Sequence, residues 1–148
     1  MARNLFKMLM IAGCLLVSGY SNAQLYINGA QFFIESGATV TVQGDLTSNV
    51  DILGTGKVLL KGTSNQNIDM NNFTIPAREI DNVSNATLLS AAKIGTNLTF
   101  TNGNIILGSN NLTMASAATI TGPGISKFIV TNSTGKLVKS SLGGAPGF

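Results

Sequence analysis

Apolar residues recur along this chain at alternate positions, in short bursts separated by Gly, Asn, Ser and Pro. Ala38-Thr39-Val40-Thr41-Val42 sets Ala38, Val40 and Val42 on one face and two threonines on the other. Asn97-Leu98-Thr99-Phe100-Thr101, Asn111-Leu112-Thr113-Met114 and Ala118-Thr119-Ile120-Thr121 repeat the scheme. Shorter apolar runs occur at Val58-Leu59-Leu60, Ile105-Ile106-Leu107, Phe128-Ile129-Val130 and Leu137-Val138. A period of two is the signature of a strand with one face buried. No stretch keeps apolar residues at helical spacing for three turns; only Ala77 to Lys93 has a composition able to hold a helical turn. The pattern predicts an all-β chain.

The spacing is more informative than the strands themselves. Leu98, Ile105, Leu112, Ile120, Ile129 and Leu137 serve as strand centres, and they follow one another closely and evenly. Antiparallel sandwiches use longer strands at wider spacing. Such short faces joined by tight corners suit a short right-handed parallel β-helix, a β-solenoid whose coils of roughly 20–25 residues stack on one another. The related segments Asn97-Leu98-Thr99 and Asn111-Leu112-Thr113 support repetition. Asn suits the corners because it tolerates the left-handed conformation and can bond its counterpart in the next coil. The alternative is an antiparallel β-sandwich or meander, favoured by Asn102-Gly103 between two apolar strands, a hairpin signal. The expected core is Val40, Val42, Val58, Leu60, Leu98, Phe100, Ile105, Leu107, Leu112, Ile120, Ile129 and Leu137.

The beginning of the chain follows a different pattern. Arg3 and Lys7 precede the apolar run Met8 to Val17, which is too short to span a bilayer, and Ser21-Asn22-Ala23 supplies small residues for a signal peptidase. The expected division is a signal peptide over 1–23 with cleavage between Ala23 and Gln24, a solenoid over 24–139, and a flexible Gly/Pro-rich tail over 140–148. The rival reading is a lipidated Cys14 in Ile11-Ala12-Gly13-Cys14, but the residues after Cys14 stay apolar where a lipoprotein turns polar. Removing Arg3 and Lys7 from the 9 basic residues leaves 7 against 6 acidic ones, so the basic balance lies mostly in the leader. Export to the secreted or cell-surface compartment is the expectation, with no integral membrane span after signal removal. Nothing in the tail is expected to cap a last coil, so further exported sequence is expected beyond Phe148.

Several segments carry a resemblance. Gly37-Ala38-Thr39-Val40-Thr41-Val42-Gln43-Gly44-Asp45-Leu46-Thr47, Gly62-Thr63-Ser64-Asn65-Gln66-Asn67-Ile68 and Asn97 to Gly108 resemble coils near the start of large exported proteins of Bacteroidota-type bacteria. Ile129 to Val138 is similar to their continuation. The resemblance implies an N-terminal β-helical region, cell-surface attachment and, for many such proteins, the type IX secretion route.

Composition removes most chemistry. The 148 residues contain no His, no Trp and one Cys, which excludes an imidazole base, His-ligated metal and an intrachain disulfide. Charged residues are only 10%, which argues against a nucleic-acid surface. The best chemical candidate is Arg78-Glu79-Ile80-Asp81: on a strand Glu79 and Asp81 share a face, where two carboxylates could hold a cation beside Arg78, as in a polysaccharide lyase. The plainer reading is a solvated edge on which Arg78 and the acids neutralise one another. Glu35, Asp45, Asp51 and Asp69 are scattered without a repeat. Phe32, Phe33, Phe73, Phe100 and Phe128 read as core, leaving Tyr26 as the one ring able to offer a sugar platform after residue 23. Asn-x-Ser/Thr triplets at Asn72, Asn82, Asn85, Asn97, Asn111 and Asn132 follow from composition.

The expected function is therefore a non-enzymatic structural or adhesin-type solenoid at the bacterial cell surface, part of a larger protein. The alternatives are a carbohydrate-binding or polysaccharide-lyase-like module, and a self-assembling surface or filament subunit. No catalytic residue, metal or cofactor is expected. Surface polysaccharide or neighbouring copies of the chain are the expected partners.

Overall fold

The computed structural model describes residues 23–140. Of the segment expected as a signal peptide, 1–23, only Ala23 is described, and of the expected tail, 140–148, only Ser140; the Cys14 alternative lies outside the described residues. Among the described residues there are strands and no helix. The first coil comprises β1 (Leu25–Ile27), β2 (Phe32–Ile34) and β3 (Thr39–Val42); the second, β4 (Leu46–Ser48), β5 (Ile52–Gly54) and β6 (Lys57–Leu60). The third comprises β7 (Gln66–Asp69) and β8 (Thr74–Asp81), and the fourth β9 (Ala86–Leu88) and β10 (Ala92–Asn102). The fifth is β11 (Ile105–Ile106), β12 (Leu112–Met114) and β13 (Thr119–Thr121), and β14 (Ile129–Val130) and β15 (Leu137–Lys139) begin a sixth. The chain is a β-solenoid of about five turns.

Every ladder between these strands is parallel, and each joins a strand to its equivalent one coil later. One face runs β1-β4-β7-β9-β11-β14. A second begins with β2-β5 and continues along the first part of β10 through β12 to β15. The third runs β3-β6-β8-β10-β13. Long strands β8 and β10 cover two faces each, and their register slips between Ile94 and Asn97, where Gly95 and Thr96 stand against the single residue Pro76. The pairings Leu25↔Leu46, Val58↔Arg78 and Leu112↔Leu137 each span one coil, and their separations match the coil length that the spacing predicts.

The Asn102-Gly103 signal resolves as a corner. Gly103 has φ 75 and turns the chain into β11, which pairs with β9 and β14 instead of folding back on β10. A Cβ at Gly103 would collide with the carbonyl oxygen of Asn82 in the coil before, so only glycine fits there. Asn71, Asn72 and Asn85 hold φ 45, 67 and 72, as expected for corner asparagines. Corner asparagines also bond between coils: Asn49 Nδ2 donates to Asn28 Oδ1 at 2.6 Å. Asn85 Oδ1 accepts from the Asn104 N–H at 2.9 Å, and Asn104 Oδ1 accepts from that of Phe128 at 3.0 Å.

Inside, like residues stack in columns, one per coil. Val42, Leu60, Ile80 and Phe100 form one, and Leu46, Ile68 and Leu88 another. All seven are buried, and a buried apolar side chain of this size contributes about 1.5–3 kcal/mol. Most of the expected core is therefore core, with departures at the ends. Val40, Ile120 and Ile129 are partly buried, and Leu137 is 43% exposed although it continues the inward Ala92–Leu112 column. Among the described residues no coil lies beyond it. Ala38 is exposed, Phe33 and Phe128 are exposed where core was expected, and Ala77 to Lys93 is strand and corner with no helical turn, because its side chains alternate into the same columns.

Candidate functional site

The residues nominated as a site lie together on β8, but alternation divides them. Glu79 and Asp81 project outward side by side, as the strand period requires, while Arg78 points into the core and is 1% exposed. The expected neutralisation of the acids by Arg78 is thus overturned. Two lysines from β6 and the corner after it take its place. Lys57 Nζ lies 2.5 Å from Glu79 Oε2, and Lys61 Nζ lies 3.0 Å from Asp81 Oδ2.

Each carboxylate also accepts a bond from the following coil. Thr101 Oγ1 donates to Glu79 Oε1 at 2.6 Å, and Asn102 Nδ2 donates to Asp81 Oδ1 at 2.7 Å. The bonds from Lys57 and then Thr101 hold the Glu79 carboxyl below its ordinary pKa. Those from Asn102 and then Lys61 do the same for Asp81. Both acids are ionised and already engaged, each clamped between the coil before and the coil after. A cation bound here would have to displace an ammonium group from each, and among the described residues no cluster of three or more metal-ligating side chains occurs.

Three of the four other acids, Asp45, Asp51 and Asp69, lack a repeat in sequence but share a use in space. Asp45 Oδ1 accepts the Asn67 N–H at 2.8 Å, Asp51 Oδ1 accepts that of Thr74 at 2.6 Å, and Asp69 Oδ1 accepts the Ser90 hydroxyl at 2.6 Å. Each ties one coil to the next at or beside a strand end. A polar hollow of about 250 Å³ opens beside Gln43, Asp45 and Asn65, and its floor includes Gln66. Residue-by-residue reading did not single out this hollow, because its walls come from successive coils that are distant in sequence.

Arg78 is the anomaly. It occupies the column Val40–Val58–Arg78–Leu98–Ile120, and none of its three guanidinium nitrogens has a hydrogen-bond partner. Burial alone pushes its pKa down to about 9. Such a group is costly, since a buried charge is ordinarily paired. At the expected cleavage position, Ala23 accepts the Gly44 N–H through its carbonyl at 2.9 Å, and Gln24 is exposed beside the polar hollow. The first ladder, Leu25↔Leu46, begins after that peptide bond. No family model, curated protein or solved structure matches this chain.

Proposed function

We propose that this chain is an exported structural module, a non-catalytic solenoid that spaces or presents other parts at a bacterial cell surface, as its leader and its resemblance to β-helical surface proteins imply. The observation that supports this reading is the use made of its acids. Glu79 and Asp81, the residues best placed for chemistry, serve as rungs that bind three successive coils. Asp45, Asp51 and Asp69 tie neighbouring coils at or beside strand ends. Carboxylates engaged in this way stiffen a stack and are poorly available to a substrate.

The test is a panel of acidic and neutral polysaccharides incubated with the purified chain, with and without Ca²⁺. No change in product profile is expected. Turnover that Asp81→Ala abolishes while the β-sheet circular dichroism is retained would replace the structural reading with a lyase-like one.

A further inference from the structure

The two ends of the solenoid differ from its middle in three independent respects. Among the described residues, no strand pairs with the outer edges of β1 and β2 at one end, or of β14 and β15 at the other. The exposed large apolar side chains gather at the same places. Tyr26 and Phe33 lie in the first coil, Phe128, Leu137 and Val138 in the last, with Ile125 on the loop leading to it. Only Val83 and Leu89 fall between.

Charge is also sorted along the axis. Residues 23–56 carry Glu35, Asp45 and Asp51 with no Lys or Arg, whereas residues 92–140 carry Lys93, Lys127, Lys136 and Lys139 with no acid. Between them Lys57, Lys61 and Arg78 balance Asp69, Glu79 and Asp81. One end is acidic and the other basic.

We infer that the solenoid stacks head to tail on further copies of itself, the first coil of one copy on the last coil of another. Extending the β2–β5 and β12–β15 ladders by one step sets Phe32, Phe33 and Ile34 of the incoming copy against Leu137, Val138 and Lys139. That step covers the half-exposed Leu137 and Val138, pairs two open edges, and sets the acidic first coil, with Glu35 one residue past the contact strand, against the basic last coil, where Lys136 precedes it and the Lys139 ammonium donates to the Ala118 carbonyl. The two surfaces are different, so the contact is heterologous and does not close; growth continues by repeated addition. The inference rests on the reading of the chain as a structural module and names its partner.

Sedimentation velocity on the full chain across a concentration series tests it. The expected result is a mean mass that keeps rising with concentration beyond a dimer, and a shift back toward monomer when salt is added. Glu35→Lys alone, and Lys136→Glu with Lys139→Glu, each place like charges at the contact and are expected to weaken association roughly tenfold. Mixing the two variants restores it, since each end of one then meets an opposite charge on the other. A chain that stays monomeric at every concentration, a mass that stops at a dimer, or association indifferent to salt and to both charge reversals overturns the inference. A folded monomer would leave the structural reading standing, because that reading falls only on polysaccharide turnover.

Discussion

Two regions of the same solenoid bury polar side chains in opposite ways. At the corner between β6 and β7, Gln66 is buried with its amide fully used. Nε2 donates to the carbonyls of Val42 at 2.9 Å and Gly44 at 2.5 Å, and Oε1 accepts from Gly62 N–H and Asn82 Nδ2, both at 3.0 Å. Asn82, one coil on, also donates to the Ser64 carbonyl and accepts the Ser84 N–H. On the third face, Arg78 is buried as deeply among Val58 and Leu98 with no partner at all. The difference shows what a solenoid interior tolerates. A corner exposes backbone groups that an amide can satisfy, so burial there fixes the position of three coils. A strand interior has already spent its backbone bonds on the ladders, so a polar group on that column finds nothing to bind.

Four measurements test this contrast. The largest effect is expected at Leu98→Ala, which empties the column directly above Arg78: a loss of roughly 2–5 kcal/mol in denaturant unfolding, against a smaller loss at half-buried Ile120→Ala. Equal losses at both positions would contradict the gradation from interior to end.

Arg78→Leu comes next, with the opposite sign. Replacing the unpaired cation by an aliphatic residue of the same column is expected to raise stability by roughly 1–4 kcal/mol. A pH series on both proteins adds a second readout. The folded-state pKa of Arg78 is about 9, well below its ordinary value, so the unfolded chain binds the proton more tightly. Stability attributable to this group therefore rises as the pH climbs through about 9, and the rise is absent in Arg78→Leu. Destabilisation by that substitution would mean the guanidinium has a favourable role in the core.

Gln66→Leu should lose about 1–3 kcal/mol, since it strands the Gly44 carbonyl and the Gly62 N–H, while the Val42 carbonyl keeps the Lys61 N–H. The paired outcome, a gain at Arg78 and a loss at Gln66 for the same kind of change, is the sharpest form of the comparison.

The smallest effect is expected at the outward acids. Glu79 and Asp81 have depressed pKa values, so their contribution is present at neutral pH and is lost as the pH falls from the ordinary carboxylate range through their folded values. Thermal melting across the acid range should show a shallow decline, flattened in a Glu79→Gln, Asp81→Asn double variant and weakened by salt. An unchanged acid profile in that variant would show that these rungs carry no stability.

The solenoid was legible because its signals are local. Alternation places Val42, Leu60, Leu98 and Phe100 inside without any knowledge of neighbours, and Gly and Asn mark corners through their own backbone preferences. The coil length followed from adding short strands and short corners. Even the shared outward face of Glu79 and Asp81 is a property of one strand.

Partnership was not legible, because every partner lies about one coil away and no local pattern specifies it. Alternation by itself puts Arg78 inside, yet a charged residue beside two acids reads as a surface group; only the stacked ladders seat it between Val58 and Leu98. The lysines that neutralise Glu79 and Asp81 sit one coil earlier in the chain and become their neighbours only when β6 lies against β8. Leu137 has the strand pattern of a core residue but lacks a coil above it among the described residues. Strand, corner and inward or outward direction can be read along the chain, since they depend on its period and on single residues. Which buried groups are satisfied, which charges are paired and which strand edges lack a partner among the described residues depend on contacts between coils, which form only in the folded stack.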